Sequence, residues 1–145
     1  MTIGDQPGPA RPPGETGGSP QRPAQRLAGP TLTFDLAAEL KQLRQEDSYR
    51  DGDRNARTLV KEGGLRIVLT ALKDGARLRE HSAPGPVAVQ TLDGRVRLHA
   101  ADETVDLPVG GLLALDGNVV HDVEALEESA FLLTIAWPEG ARADG

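Results

Sequence analysis

From Arg57 to Trp137 the chain is a series of short apolar runs broken by tight turns. Val87–Leu92 leads through Asp93-Gly94 into Arg95–His99, where Val96 and Leu98 alternate with Arg95, Arg97 and His99. An Asp-Gly between two such runs predicts a two-residue hairpin, because the turn needs the positive φ that glycine tolerates. Ala101-Asp102 predicts a second hairpin into Thr104–Leu107. Gly110-Gly111 then breaks the chain, Leu112–Leu115 runs on, Asp116-Gly117-Asn118 turns, and Val119–Leu126 forms another strand. Upstream, Arg57–Val60 is a short strand. Leu65–Leu72 is apolar on both phases apart from Arg66 and Thr70, as for a strand covered on both faces. Asp74-Gly75 turns into a weak strand ending at His81, and Ser82–Gly85 is a loop. Ala130–Trp137 is the strongest apolar strand, and Pro138 ends it. About eight to ten short strands with Gly/Asp turns describe an all-β barrel or sandwich, not alternating βαβ units.

One segment departs from this period. In Thr33–Glu46, Leu36, Leu40 and Leu43 fall at i, i+4 and i+7, while Glu39, Lys41, Arg44 and Gln45 take the other face. Thr33 is the expected N-cap, and Asp35 suits the positive first turn. A helix this short needs tertiary support, from its own sheet or from a partner subunit's sheet. Residues 1 to about 30 hold seven of the eleven prolines, six of the seventeen glycines and almost no large apolar side chains. Such a segment cannot offset the entropy of ordering and is expected to be a disordered arm. Residues 31–138 are then one domain, and 139–145 a frayed tail.

Composition removes several classes of function. The net charge is −6 and the pI is about 5.0, so nucleic acid is an unsuitable partner. Cysteine is absent, which removes disulfides, thiolate metal sites and a cysteine nucleophile. No apolar run reaches membrane-span length, and the first residues lack the basic-then-apolar pattern of a secretory signal. The expectation is a soluble cytoplasmic protein. Phe34, Tyr49, Phe131 and Trp137 are the only aromatic residues besides histidine, too few for a base-stacking platform. There is no G-x-x-x-x-G-K phosphate loop, and Gly63-Gly64 and Gly110-Gly111 are isolated turn pairs.

The order of events from Leu65 to Trp137 resembles the cupin family, a jelly-roll barrel. Asp74-Gly75 opens a segment like that family's first motif, Gly94 closes it, and Leu112–His121 resembles the second motif. The resemblance implies an all-β, cupin-like jelly-roll barrel with one N-terminal helix, and a homodimer paired through strands and the leading helix. The Leu36/Leu40/Leu43 stripe is the surface such pairing would use.

The departures from the family pattern bear on chemistry. The family's glutamate position falls on Val87, and its His-x-His positions fall on or next to Glu80-His81-Ser82. Asp116 replaces the second motif's proline, while His121 matches. The implied metal set is therefore reduced to His121 and His81. Zinc catalysis usually takes three protein ligands, and a non-haem iron site takes two histidines and a carboxylate. Glu80 or Asp116 could add an acid, but neither lies at the family's spacing, and Gln90 could add a neutral oxygen. His121 shares its phase with Val119, Val123 and Ala125 and should point inward, whereas Asp122 and Glu124 take the wetter phase. His81 follows Arg77 and Arg79 on an exposed phase unless a bulge re-aims it. His99 follows Arg95 and Arg97 on the solvent face and belongs to no expected site. Two readings follow. The first is a non-catalytic barrel that binds a small molecule through His81, Val87, Gln90 and His121, or acts in regulation, with a degenerate metal site and no certain cofactor. The second is a divalent-metal-dependent oxygenase or isomerase acting on a small organic substrate.

Overall fold

In the computed structural model of the chain, residues 30–138 are described; the expectations of an N-terminal arm and a frayed tail fall largely outside them. Two helices precede nine strands: α1 (Leu36–Gln45) and the single turn α2 (Asp47–Arg50), then β1 (Arg54–Glu62), β2 (Leu65–Leu72), β3 (Arg77–His81), β4 (Val87–Asp93), β5 (Arg95–Ala100), β6 (Glu103–Pro108), β7 (Leu112–Leu115), β8 (His121–Ala125) and β9 (Ser129–Ala136). The strands form two antiparallel sheets, ordered β1-β2-β9-β4-β7 and β3-β8-β5-β6. The two sheets remain separate and do not close on each other through strand pairing.

The chain crosses between sheets at most of its turns, and this corrects one expectation. Asp93-Gly94 is not a hairpin turn. β4 pairs with β7 and β9, whereas β5 pairs with β6 and β8. Gly94 (φ +73°) turns the chain from one sheet into the other so closely that a Cβ there would lie 2.2 Å from the Glu128 carbonyl oxygen. The hairpin expected at Ala101-Asp102 does form between β5 and β6, with both residues at positive φ.

Two cores result. Between the sheets, Leu72, Val87, Val89, Val96, Leu98, Leu107, Val123, Phe131 and Ile135 are buried together. Behind the five-stranded sheet, Leu43, Leu59, Val60 and Leu69 are buried beneath α1, with Leu36 and Leu40 packed alongside. The leucine stripe thus lies on the chain's own sheet. β2 serves both cores, Leu69 outward and Leu72 inward, as its two-phase apolar pattern requires. The N-cap of α1 is Asp35 rather than Thr33: its carboxylate accepts from the Ala38 amide at 3.2 Å.

Glu39 was expected on the solvent face and is buried. Arg57, itself 5% exposed, reaches up from β1 to donate to Glu39 at 3.1 Å, to Gln42 at 3.2 Å and to Glu46. Asn55 adds bonds to Glu46 (2.9 Å) and to the Leu43 carbonyl (3.0 Å). A buried guanidinium and its carboxylates therefore fix the helix on the sheet.

Candidate functional site

β8 begins at His121, whose side chain shares the inward phase of Val123 and Ala125 and is 3% exposed. One of its two neighbours in the sheet is β3. The two strands pair as Arg77↔Glu124 and Leu78↔Val123, then resume at His81↔His121. Three steps along β3 thus match two along β8. This bulge places His81 opposite His121, where an unbroken ladder would place Glu80. The two imidazoles stand edge to face with ring centres 4.3 Å apart, His121 buried and His81 exposed at the rim.

Both rings are oriented by main-chain carbonyls. His81 Nδ1 lies 2.9 Å from the Arg79 oxygen, and His121 Nδ1 lies 3.1 Å from the Val119 oxygen. A carbonyl can only accept, so Nδ1 carries the proton in each ring and Nε2 keeps a lone pair when the ring is neutral. The pKa of His121 is lowered, first by burial and also by the proximity of His81. His121 is therefore neutral at pH 7, an acceptor held below the rim.

The other sequence candidates lie elsewhere. Val87 joins the main core at 4% exposure. Gln90 is exposed, on the phase opposite Val87 and Val89. Asp116 is exposed in the β7–β8 turn, and Glu80 is exposed on β3. Among the described residues no group of three His, Cys, Asp or Glu side chains is arranged to hold a metal ion. The donor set present, two imidazole nitrogens, does not fit a resident zinc or iron ion of the usual kind.

Sequence reasoning missed a second constellation on the outer face of the same strands. Asp122 was expected on a wet phase and is 7% exposed. His99 Nδ1 donates to one of its carboxylate oxygens at 2.7 Å, and Arg77 donates to the other at 3.1 Å. Burial alone would raise the pKa of Asp122, but the bonds from His99 and Arg77 outweigh it and hold the pKa below the ordinary value. The available signal was the i, i+2 run of Arg95, Arg97 and His99, which reads as a solvated face. Its cross-strand partner was not visible without the register. Among the described residues, no helix is long and apolar enough to cross a membrane.

No protein-family model matches the chain, and no curated protein matches it. Solved structures do. A conserved Streptococcus pyogenes protein of unknown function is 26% identical over 74% of this chain and 89% of its own, with a TM-score of 0.62. An RmlC-like cupin from Desulfovibrio desulfuricans is 25% identical over 59% of this chain and 84% of its own, with a TM-score of 0.55. Salicylate 1,2-dioxygenase from Pseudoaminobacter salicylatoxidans shares the fold at 14% identity and a TM-score of 0.64, over 71% of this chain but 32% of its own.

Proposed function

Because this chain belongs to the cupin superfamily, we propose that it is a non-catalytic jelly-roll barrel that binds a small molecule at the His81–His121 pair. The observation that carries the reading is the matched pinning of the two imidazoles through Nδ1, which leaves the Nε2 positions of two neighbouring rings free, one ring at the rim and the other buried just beneath it. Such a pair suits a ligand with hydroxyl, amide or ammonium donors. Burial keeps His121 neutral, so it accepts across the neutral pH range. The space between the sheets is occupied by close-packed apolar side chains, so the ligand sits at the rim and not in a deep cavity.

No step of a metal-dependent reaction is assigned, because the donor set is one ligand short of the usual minimum. The supporting experiment is a thermal-shift screen of the full chain against small polyols, amides and amines, with and without EDTA. The reading expects at least one stabilising compound whose effect survives EDTA and disappears in His121→Ala. Stabilisation that appears only with added divalent metal would replace it with the enzyme reading.

A further inference from the structure

The outer face of β3 and β8 carries a cleft of about 730 Å³, in the size range of small-molecule sites. Its lining differs from that of an apolar pocket. Apart from Gly75 it consists of Asp53, Arg54, Arg77, Arg79, Glu80 and Asp122. The charges balance formally, but they are not equally available.

Asp53 and Arg54 are joined to each other by two bonds, at 2.9 and 3.3 Å. Asp122 has one oxygen on His99 and the other on Arg77, so both of its oxygens are engaged. Arg77 gives Asp122 one terminal nitrogen and is otherwise more than half exposed, so its remaining donors are open to the cleft. The Arg79 guanidinium forms no hydrogen bond or ion pair with any other described residue. The bulge between Leu78 and His81 holds it with Glu80 at the cleft wall, and its own carbonyl is fixed by His81. The cleft therefore presents two guanidinium groups with unused donors and one unengaged carboxylate, Glu80.

We propose that this cleft is a second binding site, distinct from the histidine pair, for a small organic oxyanion. Arg77 and Arg79 take the anionic group, and Glu80 accepts from a hydroxyl or amino group on the same molecule. Guanidinium forks match the planar edges of carboxylates and the faces of phosphates, and paired, charge-assisted bonds are the strong class of hydrogen bond. Asp122 is the foundation. With one oxygen held by His99 and the other by Arg77, it fixes the Arg77 guanidinium at the cleft wall.

The test is an amide and side-chain NMR titration of the full chain with citrate, with 3-phosphoglycerate and with inorganic phosphate, at constant ionic strength balanced by sodium chloride. The expected result is saturable shifts at Gly75, Arg77, Arg79 and Glu80 with at least one probe. Arg79→Ala should weaken that binding on the order of tenfold or more, the scale of a lost charge-assisted contact. Arg79 is exposed, so the variant should fold, and its unchanged spectrum away from the cleft checks this. Arg95→Ala removes the same charge from an exposed position outside the cleft and should leave binding within twofold. Saturation by citrate alone assigns a carboxylate ligand, and saturation by 3-phosphoglycerate or phosphate assigns a phosphate. The absence of saturable shifts at the cleft with every probe would overturn the proposal, as would equal weakening by Arg79→Ala and Arg95→Ala. The His81 and His121 ring resonances report the other site separately, so the failure of either reading shows on its own.

Discussion

His81 faces His121 across the β3–β8 ladder only because β3 carries one extra residue between Leu78 and His81. The pair is thus a product of register, and its properties follow from where each ring sits. His121 is buried and lowered in pKa; His81 is at the rim.

That burial has a consequence for stability. A histidine whose folded pKa lies below its unfolded value binds fewer protons when folded. Its contribution is fully present above the unfolded value of 6.5 and is lost as pH falls from there through the folded pKa. Denaturant midpoints measured between pH 8 and pH 5 should therefore decline below about pH 6.5. In His121→Gln, which cannot titrate, that part of the decline should flatten. An identical slope in both proteins would mean that His121 is not desolvated.

Arg57 is buried with Glu39 and Glu46 between β1 and α1. Removing one partner strands the other charges, so Arg57→Ala should cost about 3–5 kcal/mol in chemical denaturation. Replacing the set together, Arg57→Met with Glu39→Leu and Glu46→Gln, should cost less than the single change. The reverse order would show that the network stabilises the fold beyond compensating its own burial.

Gly94 and Gly110 both have positive φ, but their surroundings differ. A Cβ at Gly94 would lie 2.2 Å from the Glu128 oxygen and 2.4 Å from Ser129 Oγ, while one at Gly110 meets nothing within 4 Å. Gly110→Ala should cost about 1 kcal/mol, the left-handed backbone cost alone. Gly94→Ala adds an overlap at the sheet crossover and should cost about 2–4 kcal/mol. Equal losses in thermal melts would mean that the crossover relaxes freely.

Tyr49 is buried, and its hydroxyl donates to Glu128. Burial first, and then the Glu128 contact, raise its pKa to about 12. A raised acid contributes stability that is present below its unfolded value of 10.0 and lost as pH rises through the folded one. Spectrophotometric titration should show one tyrosine ionising near pH 12, with stability falling between pH 10 and 12. In Tyr49→Phe that alkaline loss should be reduced.

The strand pattern was legible because each strand alternates or runs apolar between Gly/Asp turns, and nine strands stand close to where those runs lie. The pairing was less legible. Asp93-Gly94 has the chemistry of a hairpin turn, but the same positive-φ turn also serves a switch of sheets, and only long-range packing of β4 on β9 decides between them. Glu39 and Asp122 were read as solvent-facing because they are charged. Each is buried because a distant arginine, Arg57 or Arg77, meets it, and no local period reveals such a partner. His121's inward direction followed from its phase with Val123 and Ala125. His81's place opposite His121 followed from a bulge that the sequence permits but does not locate.

The central claim is a histidine pair that works without a resident metal. The direct measurement is elemental analysis of untagged full-length protein grown in metal-supplemented medium, beside His121→Ala. The account predicts iron, zinc, manganese and nickel well below one equivalent in both proteins. Near-stoichiometric metal in the wild type that vanishes in the variant would contradict it.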